Sequence, residues 1–184
     1  MPVFHKPNLI SLIFLFIICL FIFNKNFNYK FLNQKLKRYK ILPISILFFI
    51  LLPIIITDQS GRVIKKLEIR DRPWVGKGVE QVNCLVCKVD TEIPNLYSLN
   101  KSAHKSFPSN HAANSFALAL IISFFFPRLK KMLYILAFII SFSRIYIGVH
   151  YPLDILYGAC LGILASYLVM LIFNLYIKNK KLIR

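Results

Sequence analysis

His150 and Asp154 stand four residues apart with Pro152 between them, an imidazole and a carboxylate spaced so that one can orient the other. Proline suits the first turn of a helix and biases Tyr151 away from α geometry, so the chain should turn there and place Asp154 in the first turn of a new helix. A carboxylate at that end is favoured by the helix dipole and can accept from a ring nitrogen. A pair that merely caps the helix is the plainer alternative. Upstream lies Ser143-Arg144, with Gly148 giving the backbone room to bend before the turn. Arg144 could snorkel toward water, or it could hold an anion with its two-pronged guanidinium. A second imidazole follows Pro108-Ser109-Asn110, where Ser109 or Asn110 can cap a helix whose free N–H groups bind anions, and His111 falls in its first turn. Lys65 and Arg72 are seven apart, ahead of Pro73. If 62–72 is helical, both project from nearly one face. They could equally be surface charges, as Lys66, Glu68, Arg70 and Asp71 read.

The elements that must position these groups are set by an unusually apolar chain. Its 184 residues are 57% hydrophobic and 15% aromatic, with a mean hydropathy of +0.61, which excludes an ordinary water-soluble domain and a disordered chain alike. The 24 Lys and Arg against 7 Asp and Glu leave a net charge of +17. In a soluble protein that excess would suggest nucleic acid; here it reads as membrane loops held on one side, with no nucleic-acid partner. Charge-free stretches from Lys6 to Lys25, Lys40 to Asp58, Lys105 to Arg128 and Asp154 to Lys178 are each near the roughly 20 residues needed to cross a bilayer. A fifth, Met132 to Val149, is interrupted only by Arg144. The expected fold is therefore all-α: a polytopic transmembrane bundle forming a single domain over 1–184, with five spans at about 9–24, 41–57, 110–127, 132–149 and 153–177. A short interfacial helix is expected in the outer loop 58–108. Phe23-Asn24-Lys25 is no small-residue cleavage site, so residues 1–24 read as a span rather than a signal peptide.

Orientation follows from the cations. The 25–40 connector, the turn at Arg128, Lys130 and Lys131, and the tail with Lys178, Lys180, Lys181 and Arg184 carry no acid, and five alternating helices put all three on one face, the cytoplasmic one. Loop 58–108 falls on the other face with six of the seven acids, which leaves Asp154 as the acid at a helix mouth. An ionisable group at membrane depth is a functional candidate by default.

Three segments, K-x6-R-P at Lys65–Pro73, PSNH at Pro108–His111 and SR-x5-H-x3-D at Ser143–Asp154, together resemble the tripartite signature of the type-2 phosphatidic acid phosphatase (lipid phosphate phosphatase) superfamily. The second motif is usually PSGH, so Asn110 departs from the pattern; Asn caps helices and tolerates unusual backbone angles. The resemblance implies that His150 attacks phosphorus, that Asp154 orients it, and that His111 protonates the departing oxygen and then activates water. It implies that Lys65, Arg72 and Arg144, with Ser109 and the amides near Asn110, bind the phosphate oxygens, with no metal or other cofactor. The partners implied are a phosphorylated lipid and the surrounding membrane lipids: undecaprenyl diphosphate, phosphatidylglycerophosphate or lipid A 1-phosphate, at the outer face of a bacterial cytoplasmic membrane. A phosphotransferase of the same family, or a binder or transporter that uses the same anion cradle, is the alternative.

Elsewhere, Cys84 and Cys87 form CLVC in the outer loop, open to a disulfide, to free thiols, or to a zinc site that would want more ligands than His104 supplies. Cys19 and Cys160 read as small core residues within spans. Gly158, Gly162 and Ser166 recur every four residues, a close-packing stripe for another helix or a second copy.

Overall fold

The computed structural model of the chain describes residues 43–73 and 104–182, and these are helical apart from short connections. The span expected at 9–24, the basic connector 25–40, Cys19, and the part of the outer loop that holds Cys84 and Cys87 lie outside the described residues. Helix α1 runs Pro43–Lys65, α2 Asn110–Phe125, α3 Lys130–Tyr146 and α4 Pro152–Leu182, with a 3-10 turn at Pro127–Leu129 between α2 and α3.

Helix α1 carries proline at its first position, where no N–H is needed, and continues past the expected boundary at 57 to Lys65. It stops where Glu68 takes a left-handed backbone angle (φ 52°) and the last carbonyls are collected by the amides of Lys66, Leu67 and Glu68. The chain then runs extended. The Arg72 amide donates to the His104 carbonyl (2.8 Å) and the Ser106 amide to the Arg70 carbonyl (2.9 Å), so 70–72 and 104–106 form a short antiparallel strap. Lys105 reinforces it with ion pairs to Asp71 (2.8 Å) and Glu68 (3.4 Å). Of the helix expected at 62–72, only 62–65 is helical, as the last turn of α1; an αL residue and cross-strand pairing override the periodicity.

Helix α2 packs most extensively on α4. The reason is the small-residue stripe: a Cβ on Gly158 would run into the Ser109 carbonyl, one on Gly162 into the Ala113 carbonyl, and the Ser166 hydroxyl donates to the Ala117 carbonyl (2.8 Å). The stripe thus serves a helix of the same chain. Helix α1 is joined to α2 by Asn114, which accepts from the Thr57 hydroxyl (2.5 Å) and donates to Asp58 (2.9 Å).

An apolar core of Phe49, Ile122, Phe125, Leu133, Ile140, Val169 and Phe173 fills one half of the bundle, with the Phe49 and Phe173 rings edge to face at 4.8 Å. The outer surface is apolar as well: Phe48, Ile55, Ile135, Phe138, Leu156, Leu164 and Leu175 are each more than half exposed. Residues Pro152–Tyr176 are long and apolar enough to span a membrane, and only 33% of their most apolar window is buried, unlike the core helix of a soluble protein. Cys160, expected in the core, is exposed on this surface.

Candidate active site

The polar residues singled out by type and spacing converge at one end of the bundle, where α1 ends and α2 and α4 begin. The turn between α3 and α4 is shaped by Gly148 at φ 74°, and α4 begins at Pro152 with Asp154 in its first turn, as the sequence requires. His150 is 4% exposed and Asp154 fully buried. The His150 Nδ1 lies 3.6 Å from Asp154 Oδ2, just beyond hydrogen-bond reach. That oxygen accepts from the Tyr151 amide (2.9 Å), and Oδ1 accepts from Arg70 Nη1 (3.1 Å).

Ser109 caps α2, accepting from the Ala112 amide, and its own amide donates to the Asp154 main-chain carbonyl (3.0 Å). That bond fixes the start of α2 against the start of α4. Asn110 is the first helical residue of α2, and its carboxamide sits where a Cβ on Gly61 would be. The absence of a side chain at 61 is what admits the bulkier residue at 110. His111 follows within the same first turn. Arg144 is 1% exposed, the largest fully buried side chain among the described residues, so it does not snorkel. Its charge acts on His111 together with those of His150, Lys65 and Arg72. Lys65 and Arg72 also act on each other and on His150. All eight residues singled out from sequence are therefore gathered at one place.

Sequence reasoning missed Arg70. It was expected to be a surface charge, yet it pairs with buried Asp154 and lies over the Tyr151 ring at 5.4 Å. The signal was the strap: in extended backbone, residues two apart share a face. Arg70 and Arg72 are half-buried, whereas Ile69 and Asp71 are exposed. Lys65 and Arg72 do not share a helical face; they meet because the strap folds back.

Burial and mutual repulsion among the cations set the electrostatics here. Burial, then the charge of Arg72, pushes Lys65 down to about 8, with Asp58 and Asp154 opposing. Burial also lowers Arg72. His150 is held below the usual imidazole range, chiefly by burial, then by Arg72 and Lys65, against the pull of Asp154. Four buried polar atoms here, Arg72 Nε, Asn110 Oδ1, His111 Nε2 and His150 Nδ1, have no hydrogen-bond partner. Such atoms are rare in folded proteins.

Fold and site together define a helical bundle with clustered cations and imidazoles at one end and an apolar outer surface. The chain belongs to the PAP2 superfamily, whose model matches residues 61–178 and so includes every site residue above. Among curated relatives, the bacitracin transport permease protein BcrC of Bacillus licheniformis is 38% identical over 42% of this chain and 38% of its own length. The lipid A 4'-phosphatase of Bacteroides thetaiotaomicron is 45% identical over 30% of this chain and 26% of its own. The undecaprenyl-diphosphatase BcrC of Bacillus subtilis is 33% identical over 36% of this chain and 35% of its own. The matched segments thus span well under half of these relatives. The crystal structure of Aquifex aeolicus LpxE is similar over 87% of this chain and 76% of that one, at 26% identity and a TM-score of 0.54.

Proposed function

We propose that the chain hydrolyses the phosphate or pyrophosphate ester of a membrane lipid through a phosphohistidine on His150. The observation that carries this reading is the convergence of two imidazoles, a carboxylate and three cations around the start of α2. In the first step the His150 Nε2 lone pair forms the N–P bond as the P–O bond to the lipid breaks, and His111 delivers a proton to the departing oxygen. Asp154 orients the ring through Nδ1 and stabilises the positive charge it acquires. In the second step water attacks phosphorus, His111 takes its proton, and the N–P bond breaks to release phosphate and neutral His150. Lys65, Arg72 and Arg144, with Ser109 and the amides beside Asn110, hold the equatorial oxygens as charge shifts. These cations supply the charge neutralisation without a metal.

The substrates we favour are undecaprenyl diphosphate and lipid A 1-phosphate, since relatives named as an undecaprenyl-diphosphatase and as a lipid A 1-phosphatase are similar to part of this chain. We place the five-span chain in a bacterial cytoplasmic membrane with the site on the outer side. The cationic turn at Arg128, Lys130 and Lys131 and the end of α4 lie at the bundle end away from the site, which supports that orientation.

Purified protein in detergent should release phosphate from one of these lipids, and His150→Ala and His111→Ala should each lower that rate by at least about 10³-fold while lipid binding is kept. Equal turnover in all three proteins rejects the proposal. The name of the B. licheniformis relative, a transport permease protein, favours a second reading, transport or binding of a lipid phosphate. On that reading the cations matter and the two histidines do not, so the same variants separate the two.

A further inference from the structure

Arg70 lies outside the signature segments' matched positions, and the reaction above gives it no part. Its guanidinium nevertheless reaches the one fully buried carboxylate of the site: Nη1 is 3.1 Å from Asp154 Oδ1, while the arginine side chain itself is 35% exposed. A second contact fixes its approach, since the guanidinium lies over the Tyr151 ring at 5.4 Å. Its backbone is pinned too, because the Arg70 carbonyl accepts from the Ser106 amide at 2.9 Å. Asp154 is thus held on both oxygens, by Arg70 on Oδ1 and by the Tyr151 amide on Oδ2, and His150 Nδ1 stands 3.6 Å from the latter.

We infer that Arg70 is a positioning residue: it clamps the Asp154 carboxylate and draws part of its charge away from His150, which keeps that imidazole in the neutral, attacking form. The chemistry is a competition for one carboxylate. A guanidinium on Oδ1 weakens what the carboxylate offers to a proton on Nδ1, and an imidazolium gains less from it. The other charges facing His150 are Lys65 at the end of α1, Arg72 on the strap and Asp154 on α4, with His111 on α2 close by and Arg144 of α3 acting on His111. Arg70 differs from those cations in acting through Asp154, so its effect should depend on that carboxylate.

The inference rests on His150 as nucleophile only for its kinetic consequence, and a direct titration tests it without turnover. In the full chain, labelled with ¹⁵N-histidine in detergent, Arg70→Gln should move the His150 titration midpoint up by about half to one pH unit. Arg70→Lys, which keeps the charge, should leave it within about 0.2 unit of the parent. In an Asp154→Asn background Arg70→Gln should produce no shift. An unmoved midpoint in Arg70→Gln, an Arg70→Lys midpoint as high as a neutral residue would give, or the same shift in the Asp154→Asn background overturns the inference. The acid limb of kcat/KM should move with the midpoint. A midpoint that moves in a protein releasing no phosphate from any lipid keeps Arg70's role and removes the hydrolase reading.

Discussion

At the scale of single residues, the proposed chemistry depends on how few charges His150 is allowed to see. Its ring is nearly enclosed, flanked by cations and served by one carboxylate that also has other partners. Because burial and the nearby cations keep the folded-state value below the usual imidazole range, the neutral ring persists to lower pH. kcat/KM should therefore hold through neutrality and fall only as pH drops below the ordinary histidine value, which a pH–rate profile checks. Lys65 gives the opposite limb: it is pushed down to about 8, so it loses its charge as pH rises through that value and KM should climb there. Lys65→Arg, always charged, should abolish the alkaline rise in KM. Arg144, His111, His150 and Asp154 were legible in the sequence because each is an ionisable group where an apolar stretch has no other use for one. Arg70 was not, since surface and site cations look alike until the backbone period is known.

At the scale of elements, the stretch 66–72 carries the lesson. Read at 3.6 residues per turn it pairs Lys65 with Arg72; folded at a period of two it pairs Arg72 with Arg70. The choice was made by Glu68 in a left-handed conformation and by residues 104–106, a partner remote in sequence that local periodicity cannot register. The helix starts at Asn110 and Pro152 were legible because capping and proline chemistry are local. Gly61 was invisible until Asn110 was seen beside it. Gly61→Ala should drive a methyl into that carboxamide and lower activity, and Asn110→Gly in the same chain should restore it; phosphate release from the three proteins checks this. Gly162→Val meets main chain instead of a movable side chain, so it should destabilise by about 1–3 kcal/mol or more, read as a lower midpoint of detergent-solubilised thermal unfolding.

At the scale of the whole molecule, the bundle divides into an apolar half around Phe173 and a charged end around His150, and its outside is nearly as greasy as its core. Hydrocarbon is the solvent that suits such a surface. The proposed orientation predicts that single cysteines introduced in 74–107 react with an impermeant thiol reagent added to intact cells, and that cysteines in 25–40 do so only after lysis; the reverse pattern would overturn it. Among the described residues, the helices within 41–57, 110–127, 132–149 and 153–177 were legible because each is a long apolar stretch nearly free of charge, whereas their ends were not: α1 and α4 run several residues beyond the apolar stretch, and only contacts made in three dimensions decide where they stop.

The hydrogen bond from the Ser109 amide to the Asp154 carbonyl separates two duties within a single amino acid. The peptide group acts as a strut between two helix starts while the carboxylate faces the imidazole. No side-chain replacement at position 154 can delete that strut, so an Asp154→Asn protein should lose its chemistry yet retain its architecture, and it is the natural vehicle for capturing an uncleaved lipid in a crystal.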